Sequence, residues 1–342
     1  MSQILRVAPN ELPPPAAAGL RDGAIVATAP VAVLELVGAG AVAAFQGLLT
    51  NDIEKPGDGA FLYGALLTPK GMVVVEGWTG RSATRVTYTV PAVAGDRALE
   101  LLTRYIPPRL ARSSDRTSGL GVLRLAGPRA LAIAQSAGVP LPTAPGRLLT
   151  ATVAGVALEV AQPGEAGPPP FALQLTAPRA ALDDLAHRLV AAGARAAAAP
   201  ALELARILAG WPSVAADVDE KTLPQEVRFD EIAGVSYTKG CYTGQETVSR
   251  LHFRGHANRS LRGLVFDTEP ALNEDALVQY RDRDAGRVTS MAWLAHAPGV
   301  AGRWIGLAVL RREVTPGAVV RAGGTDARVV DLPFAPAYLV PA

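Results

Sequence analysis

The sequence predicts an α+β protein: a mixed body of two subdomains over residues 1–255, followed by a small C-terminal β-barrel over residues 256–342. Three observations carry this. Strand-like and helix-like runs alternate in two successive cycles through the first two-thirds of the chain. Helical spacing stops after Gly255, and short strand-like runs separated by turns follow. The chain has 342 residues, enough for two or three domains at roughly 100–200 residues each. A chain of that size buries a core without disulfides.

Taken in order, the first twenty residues read as an extended lead-in broken by Pro13-Pro14-Pro15. Residues 24–27 and 31–37 read as strands, and 41–49 as a short helix ending before Thr50-Asn51-Asp52. Runs at 61–67, 72–78 and 85–90 have strand character, the first two joined by a turn at Pro69-Lys70-Gly71. Val93, Leu99, Leu101, Leu102 and Tyr105 have helical spacing over 92–105, stopped by Pro107-Pro108. The second cycle comprises a strand at 122–125, a helix at 129–137 and a strand pair at 148–153 and 156–160. Residues 162–170 form a loop by composition. A strand at 171–175 precedes an amphipathic helix at 179–192, with Leu182, Leu185, Leu189 and Val190 on one face. Residues 191–201 read as helix end and linker, and 202–209 as helix. The barrel strands are placed at 261–266, 277–280, 286–293, 304–310 and 319–332.

Composition narrows the function. Lys and Arg total 33 against 31 Asp and Glu, a formal +2, so any anion site is local. One cysteine excludes an intrachain disulfide, a CxxC redox pair and a self-contained Cys-based metal site. It also points to a reducing compartment. No apolar run approaches about 18 residues, so no membrane span is expected. The first twenty residues lack the apolar centre of a signal peptide, and the protein reads as cytoplasmic. The four histidines make no HExxH, and no GxGxxG, GxxxxGK[ST] or GxSxG is present.

The unusual stretch is Lys239-Gly240-Cys241-Tyr242-Thr243-Gly244-Gln245-Glu246, followed by Arg250. Thr243 and Glu246 have capping-box spacing, which predicts a helix running to about His252. Cys241 then precedes a helix N-terminus beside Lys239, and both features favour its thiolate. Tyr242 offers a ring and a hydroxyl. Taken singly, each residue also has a structural reading: a small buried Cys, a capping Glu, a solvated Lys. Downstream, Arg250, His252, Arg254, His256, Arg259 and Arg262 lie in a segment without an acid from Ser249 to Arg262. That run suits an anion site, an ion-paired seam between domains, or a solvated surface.

The run Lys239–Glu246 with Arg250 resembles the hallmark of the YgfZ-type folate-binding proteins, relatives of the glycine-cleavage T-protein (aminomethyltransferase). Three further segments resemble the family in chain order. These are Phe45-Gln46-Gly47 with Thr50-Asn51-Asp52 and Leu67–Gly71; Arg206-Ile207 with Gly210 and Pro212; and Gly286–Ser290 with Ile305–Ala308. The resemblance covers nearly the whole chain from about residue 25. It implies a multi-lobed T-protein-like body around a central opening that binds tetrahydrofolate, plus the barrel. It further implies an accessory protein for iron–sulfur enzymes, including those that thiolate tRNA, with iron–sulfur client proteins as partners. Lys239 and Cys241 would carry the distinctive chemistry. Tyr242, Gln245, Glu246, Arg250 and Arg206 would contact the folate.

Two departures from the T-protein pattern stand out. Leu208 replaces a Glu expected to hold the polar pterin edge, which predicts weakened or altered pterin recognition. By ungapped alignment, Val75 takes the position of the T-protein's first Asp, which argues against a working aminomethyltransferase. The alternative, a folate-dependent aminomethyl or methyl transferase, would need Glu76 in that role. A weak RNA contact through the basic run is a third reading.

Overall fold

The computed structural model describes residues 4–11, 14–273, 276–294 and 302–335. The two cycles of the sequence become two lobes built on the same plan. In the first, strand Val31–Val37 turns at glycines into helix Ala41–Gln46. Strand Arg85–Pro91 runs through a short 3-10 turn into helix Gly95–Tyr105. In the second, strand Leu120–Ala126 leads to helix Ala130–Ser136. Strand Leu173–Pro178 leads through Arg179–Ala181 to helix Leu182–Ala191. Pro91 and Pro178 end their strands with nearly the same backbone angles, φ −49 and −51. A proline has no N–H for a ladder and its ring fixes φ, so it ends the strand and opens the helical turn.

The first lobe's sheet is antiparallel, in the order Phe61–Leu67, Val73–Ser82, Arg85–Pro91, Val31–Val37, Arg112–Asp115. The second lobe's sheet has six strands: Arg195–Ala196, Ile25–Thr28, Leu120–Ala126, Leu173–Pro178, Val156–Gln162 and Arg147–Val153. Each sheet buries one face under its own helices. Leu34, Phe45, Val75, Tyr88 and Leu102 fill the first core. Leu123, Leu125, Ile133, Leu175 and Leu185 fill the second. The other faces contribute to a shared central cluster containing Ile25, Val33, Tyr63, Trp78, Phe171, Trp211 and Phe229.

The C-terminal module is a closed six-stranded barrel, as its turn spacing predicts. Its strands are Arg259–Phe266, Leu277–Tyr280, Arg283–Leu294, Arg303–Arg311, Val319–Ala322 and Thr325–Val330. Closure comes from Arg283–Leu294, which pairs with Leu277–Tyr280 on one side and Arg303–Arg311 on the other. Every barrel edge is thereby hydrogen-bonded.

Three expectations change and one unassigned strand is added. The described part of the lead-in carries regular structure: Leu5–Val7 pairs in parallel with the barrel strand, Leu5 opposite Ser290, and Pro14–Asp22 is a helix that buries Ala16 and Ala17. The linker at 191–201 contains strand Arg195–Ala196, beside Ile25–Thr28, and the first turn of helix Ala199–Ala209. The run 319–332 is a hairpin turned at Gly323 and Gly324, both at positive φ. Arg112–Asp115, too polar to read as a strand, is an edge strand of the first sheet.

Candidate functional site

A cavity of about 390 Å³ lies where the two lobe sheets, helix Ala199–Ala209 and the N-terminal strand meet. Its walls are aromatic. Trp78 and Trp211 stack with ring centroids 5.1 Å apart, Phe171 meets Trp78 edge-on at 4.9 Å, and Tyr63 meets Trp211 at 4.7 Å. Strand alternation places these groups: on Val73–Ser82, Val75 points into the first lobe's core, while Glu76 and Trp78 point to the cavity. The Glu76 carboxylate accepts from the Val214 amide at 3.3 Å. Burial pushes it up to about 7, opposed by that amide and by the guanidinium groups of Arg206 and Arg124. Arg124 lies over the Phe171 ring at 4.3 Å and donates to Gln174 at 3.1 Å. Its pKa is lowered to about 10 by burial, which Glu76 counteracts. The Tyr63 hydroxyl is buried beside the Glu76 carboxyl and helps to hold that carboxyl down against burial.

Arg206 is the joint between body and barrel. It lines the cavity, yet its fork is fully engaged. Nε and Nη2 donate to Glu203 at 2.9 and 2.6 Å, Nη1 to Asp217 at 2.9 Å and the Trp211 carbonyl at 2.5 Å, and Nη2 to Ser290 at 2.5 Å. Asp217, wholly buried, also accepts from the Ser213 amide and the Thr289 hydroxyl. All five guanidinium N–H groups are satisfied, as a buried arginine requires.

The signature segments assemble elsewhere, behind the Tyr63 wall. The Lys239 ammonium donates to three carbonyls, of Gln46, Leu49 and Asn51, at 2.6, 2.7 and 2.8 Å. Asn51 Nδ2 donates to the carbonyls of Tyr63 and Ala233, and Thr50 Oγ1 to that of Gly234. Thr243 N–H donates to Gly47. Gly244, at φ +83, abuts the Pro69-Lys70-Gly71 turn so closely that an added Cβ would sit 2.6 Å from the Thr68 carbonyl. Segments 46–52, 68–71 and 239–247 thus interlock. The helix begins at Gln245, with Gly244 rather than Thr243 as its N-cap, and runs to Arg254. The Thr243–Glu246 capping box does not form, because the left-handed glycine, packed on the turn, sets the entry of the chain. Gln245 instead accepts from the Tyr242 amide at 3.3 Å.

Of the sequence-predicted site residues, Arg206 lines the cavity, as does Glu76, the carboxylate that the transferase alternative requires. Cys241 is exposed. Lys239 is buried, and burial lowers it to about 8 against the pull of Asp52 and Glu54. Tyr242 is buried, 5.1 Å from the Lys239 ammonium, and burial with Asp230 raises its hydroxyl to about 12. Gln245 is half-buried; Glu246 and Arg250 are exposed. Leu208 lies outside the cavity lining, packs on the central core and accepts from the Phe334 amide. Sequence reasoning did not assign Tyr63, Trp78, Arg124, Phe171, Glu203 and Trp211 to a site. The available signal was the scarcity of aromatics, 5% of the chain, which makes each Trp conspicuous.

Of the basic run, Arg259 pairs with Glu226 and Asp219, and Arg262 with Asp331. Arg259 thus forms an ion-paired seam between body and barrel, whereas the Arg262 pair lies within the C-terminal module. Among the described residues no three His, Cys, Asp or Glu side chains cluster as metal ligands, and no helix is long and apolar enough to cross a membrane.

Residues 20–235 match the GCVT N-terminal domain family. The chain is 34% identical over 123 residues to a tRNA-modifying protein YgfZ of Vibrio vulnificus (strain YJ016), covering 36% of this chain and 38% of that protein. A YgfZ of Yersinia enterocolitica is 32% identical over 34% of each chain. The matches thus span little more than a third of the length of these relatives. An aminomethyltransferase of Rubrobacter xylanophilus is 29% identical over 299 residues, 85% of this chain and 77% of that one. The fold is that of the glycine cleavage system aminomethyltransferase T of Bartonella henselae, with a TM-score of 0.76 at 18% identity over 94% of this chain and 89% of that one. With the family match spanning both lobes and the fold match extending through the barrel, this chain belongs to the GCVT superfamily, as a YgfZ-type member of it.

Proposed function

We propose that the cavity binds tetrahydrofolate and that the chain is a folate-dependent accessory protein for iron–sulfur enzymes, tRNA-thiolating ones among them, in the cytoplasm. The observation that carries this reading is the cavity lining: stacked aromatic walls around the buried Glu76 carboxyl, the Arg124 guanidinium and the buried Tyr63 hydroxyl. A pterin is a flat heterocycle with N–H donors along one edge. Trp78, Trp211 and Phe171 offer its faces stacking surface, and Glu76 and the Tyr63 hydroxyl offer its edge acceptors. Arg124, with Gln174 as its one side-chain hydrogen-bond partner among the described residues, suits a carboxylate of the ligand's tail. Arg206 holds Glu203 and the 211–217 loop in place. The bound folate would supply one-carbon carrier chemistry. Cys241 would meet the client at the surface, with Lys239 and Tyr242 fixing its loop and Gln245, Glu246 and Arg250 flanking it. A lone thiol needs ligands from another chain to contact a cluster.

Anaerobic calorimetric titration with tetrahydrofolate tests this. Saturable binding by wild type and Cys241→Ala, abolished in a Glu76→Ala and Arg124→Ala double variant, supports the cavity. No binding by wild type overturns it.

A second reading, an aminomethyl or methyl transferase, is favoured by one observation: the strand turns Glu76, not Val75, into the cavity. Turnover of an aminomethyl-carrying lipoyl protein with tetrahydrofolate would support it. Absence of turnover at every substrate level would remove it.

A further inference from the structure

Helix Gln245–Arg254 buries only Val248 fully and leaves a wide face in solvent. Residues 250, 253 and 254 fall on one side of it by helical spacing. Arg250 and Arg254 are exposed, and Phe253 between them is 67% exposed. Among the described residues neither arginine has an ion-pair or hydrogen-bond partner. Glu246, one turn earlier, bounds the stripe. An exposed Phe alone would mean little. This one is held in an aromatic cluster: Tyr237 and His252 stack at 3.6 Å and 14°, and Phe253 stands edge-on to them at 5.9 and 4.8 Å. Asp230 accepts from the Tyr237 hydroxyl and lies 3.2 Å from His252 Nδ1, fixing both rings from the far side.

We propose that this face binds single-stranded RNA, the exposed aromatic cluster stacking on a base and Arg250 and Arg254 gripping neighbouring phosphates. The two arginines are one turn apart, roughly 6 Å along the axis, a separation like that of successive phosphates along a strand. Aromatic platforms flanked by cations are how sequence-tolerant single-strand binding is built. The near-neutral chain, with a formal charge of +2, confines this attraction to the patch. The inference goes beyond the folate reading and stands without it.

Fluorescence anisotropy with labelled twelve-nucleotide oligouridylate and oligoadenylate, over a potassium chloride series, tests it. Wild type should bind both with affinity falling as salt rises. An Arg250→Glu and Arg254→Glu double variant should weaken binding at least about tenfold and reduce the salt slope by about 1.4. Phe253→Ala should weaken it by about fivefold or more, and Phe253→Trp should bind with quenching of the new fluorophore. Arg188→Glu, on another exposed helix, should stay within about twofold. Unchanged thermal midpoints establish that the variants fold. The proposal fails if wild type does not bind at low salt or if Arg188→Glu costs as much as the double variant. It fails equally if duplex RNA or polyglutamate binds as tightly and is indifferent to Phe253→Ala, which would assign the patch to backbone charge or to an acidic protein.

Discussion

Lys239 and Cys241 stand two residues apart and face opposite environments. The lysine ammonium is capped by three backbone carbonyls inside the protein, while the cysteine lies in solvent. Tyr242, buried with its ring 5.1 Å from the ammonium, pins the other side. The thiol is displayed by a loop anchored on both flanks.

Lys239→Met should therefore act on the fold first. It leaves three interior carbonyls without their charged donor, and a loss of about 2–4 kcal/mol is expected in urea denaturation. Cys241→Ser, at an exposed position, should change stability by less than about 0.5 kcal/mol. The native wild-type protein should take up one equivalent of an aromatic disulfide reagent without denaturant.

Glu76 gives stability a defined pH dependence. Its carboxyl titrates near 7 when folded against an ordinary 4.5, so the folded state holds an extra proton between those values. That contribution is complete below pH 4.5 and is lost as pH rises through 7. Relative to Glu76→Gln, the wild type should lose about 3 kcal/mol across this window. Parallel curves for the two proteins would contradict the burial argument.

Arg206→Lys should be costly despite keeping the charge. A lysine cannot span Glu203, Asp217, the Trp211 carbonyl and Ser290 together. Breaking this buried network should cost about 3–5 kcal/mol. Its early signature should be loosened docking of barrel on body, read by hydrogen exchange at Thr289 and Ser290.

Gly244→Ala should disturb the signature junction. The position needs φ +83, and a Cβ there meets the Thr68 carbonyl. A cost of about 1–3 kcal/mol is expected, with altered alkylation kinetics at Cys241 in the same variant.

Trp78 and Trp211 line the cavity, while Trp293 and Trp304 pair with each other across adjacent barrel strands. Titration with tetrahydrofolate should quench tryptophan emission in wild type and in Trp293→Phe. The change should be smaller in Trp78→Phe.

Most strands and helices of both lobes were legible because their apolar spacing is local: Leu182, Leu185 and Leu189 announce their helix without any partner, whereas the polar Arg112–Asp115 and the two-residue Arg195–Ala196 do not. Strand Leu5–Val7 was not, because three residues become a strand only when the barrel supplies the pairing. The barrel itself was readable from turn spacing, but not the turn at Gly323-Gly324 inside its last run. The signature Lys239–Glu246 stands out in the sequence as an unusual run. Its partners, the carbonyls at 46, 49 and 51, are backbone groups that no sequence pattern displays. The cavity was hidden for a related reason. Tyr63, Glu76, Trp78, Arg124, Phe171 and Trp211 come from segments up to about 150 residues apart, and their shared side follows from sheet packing.

The short N-terminal strand has a practical consequence for anyone recombining these modules. Leu5, Arg6 and Val7 wall the cavity while hydrogen-bonding to the barrel at the other end of the chain, and Arg6 is fastened there by Glu269 and the Trp304 ring. A chimera that transplants the two lobes without residues 4–7, or exchanges the barrel without them, would assemble well-folded parts around an incomplete pocket. The exchangeable unit is the barrel together with the first strand, joined in space though separated by almost the entire polypeptide.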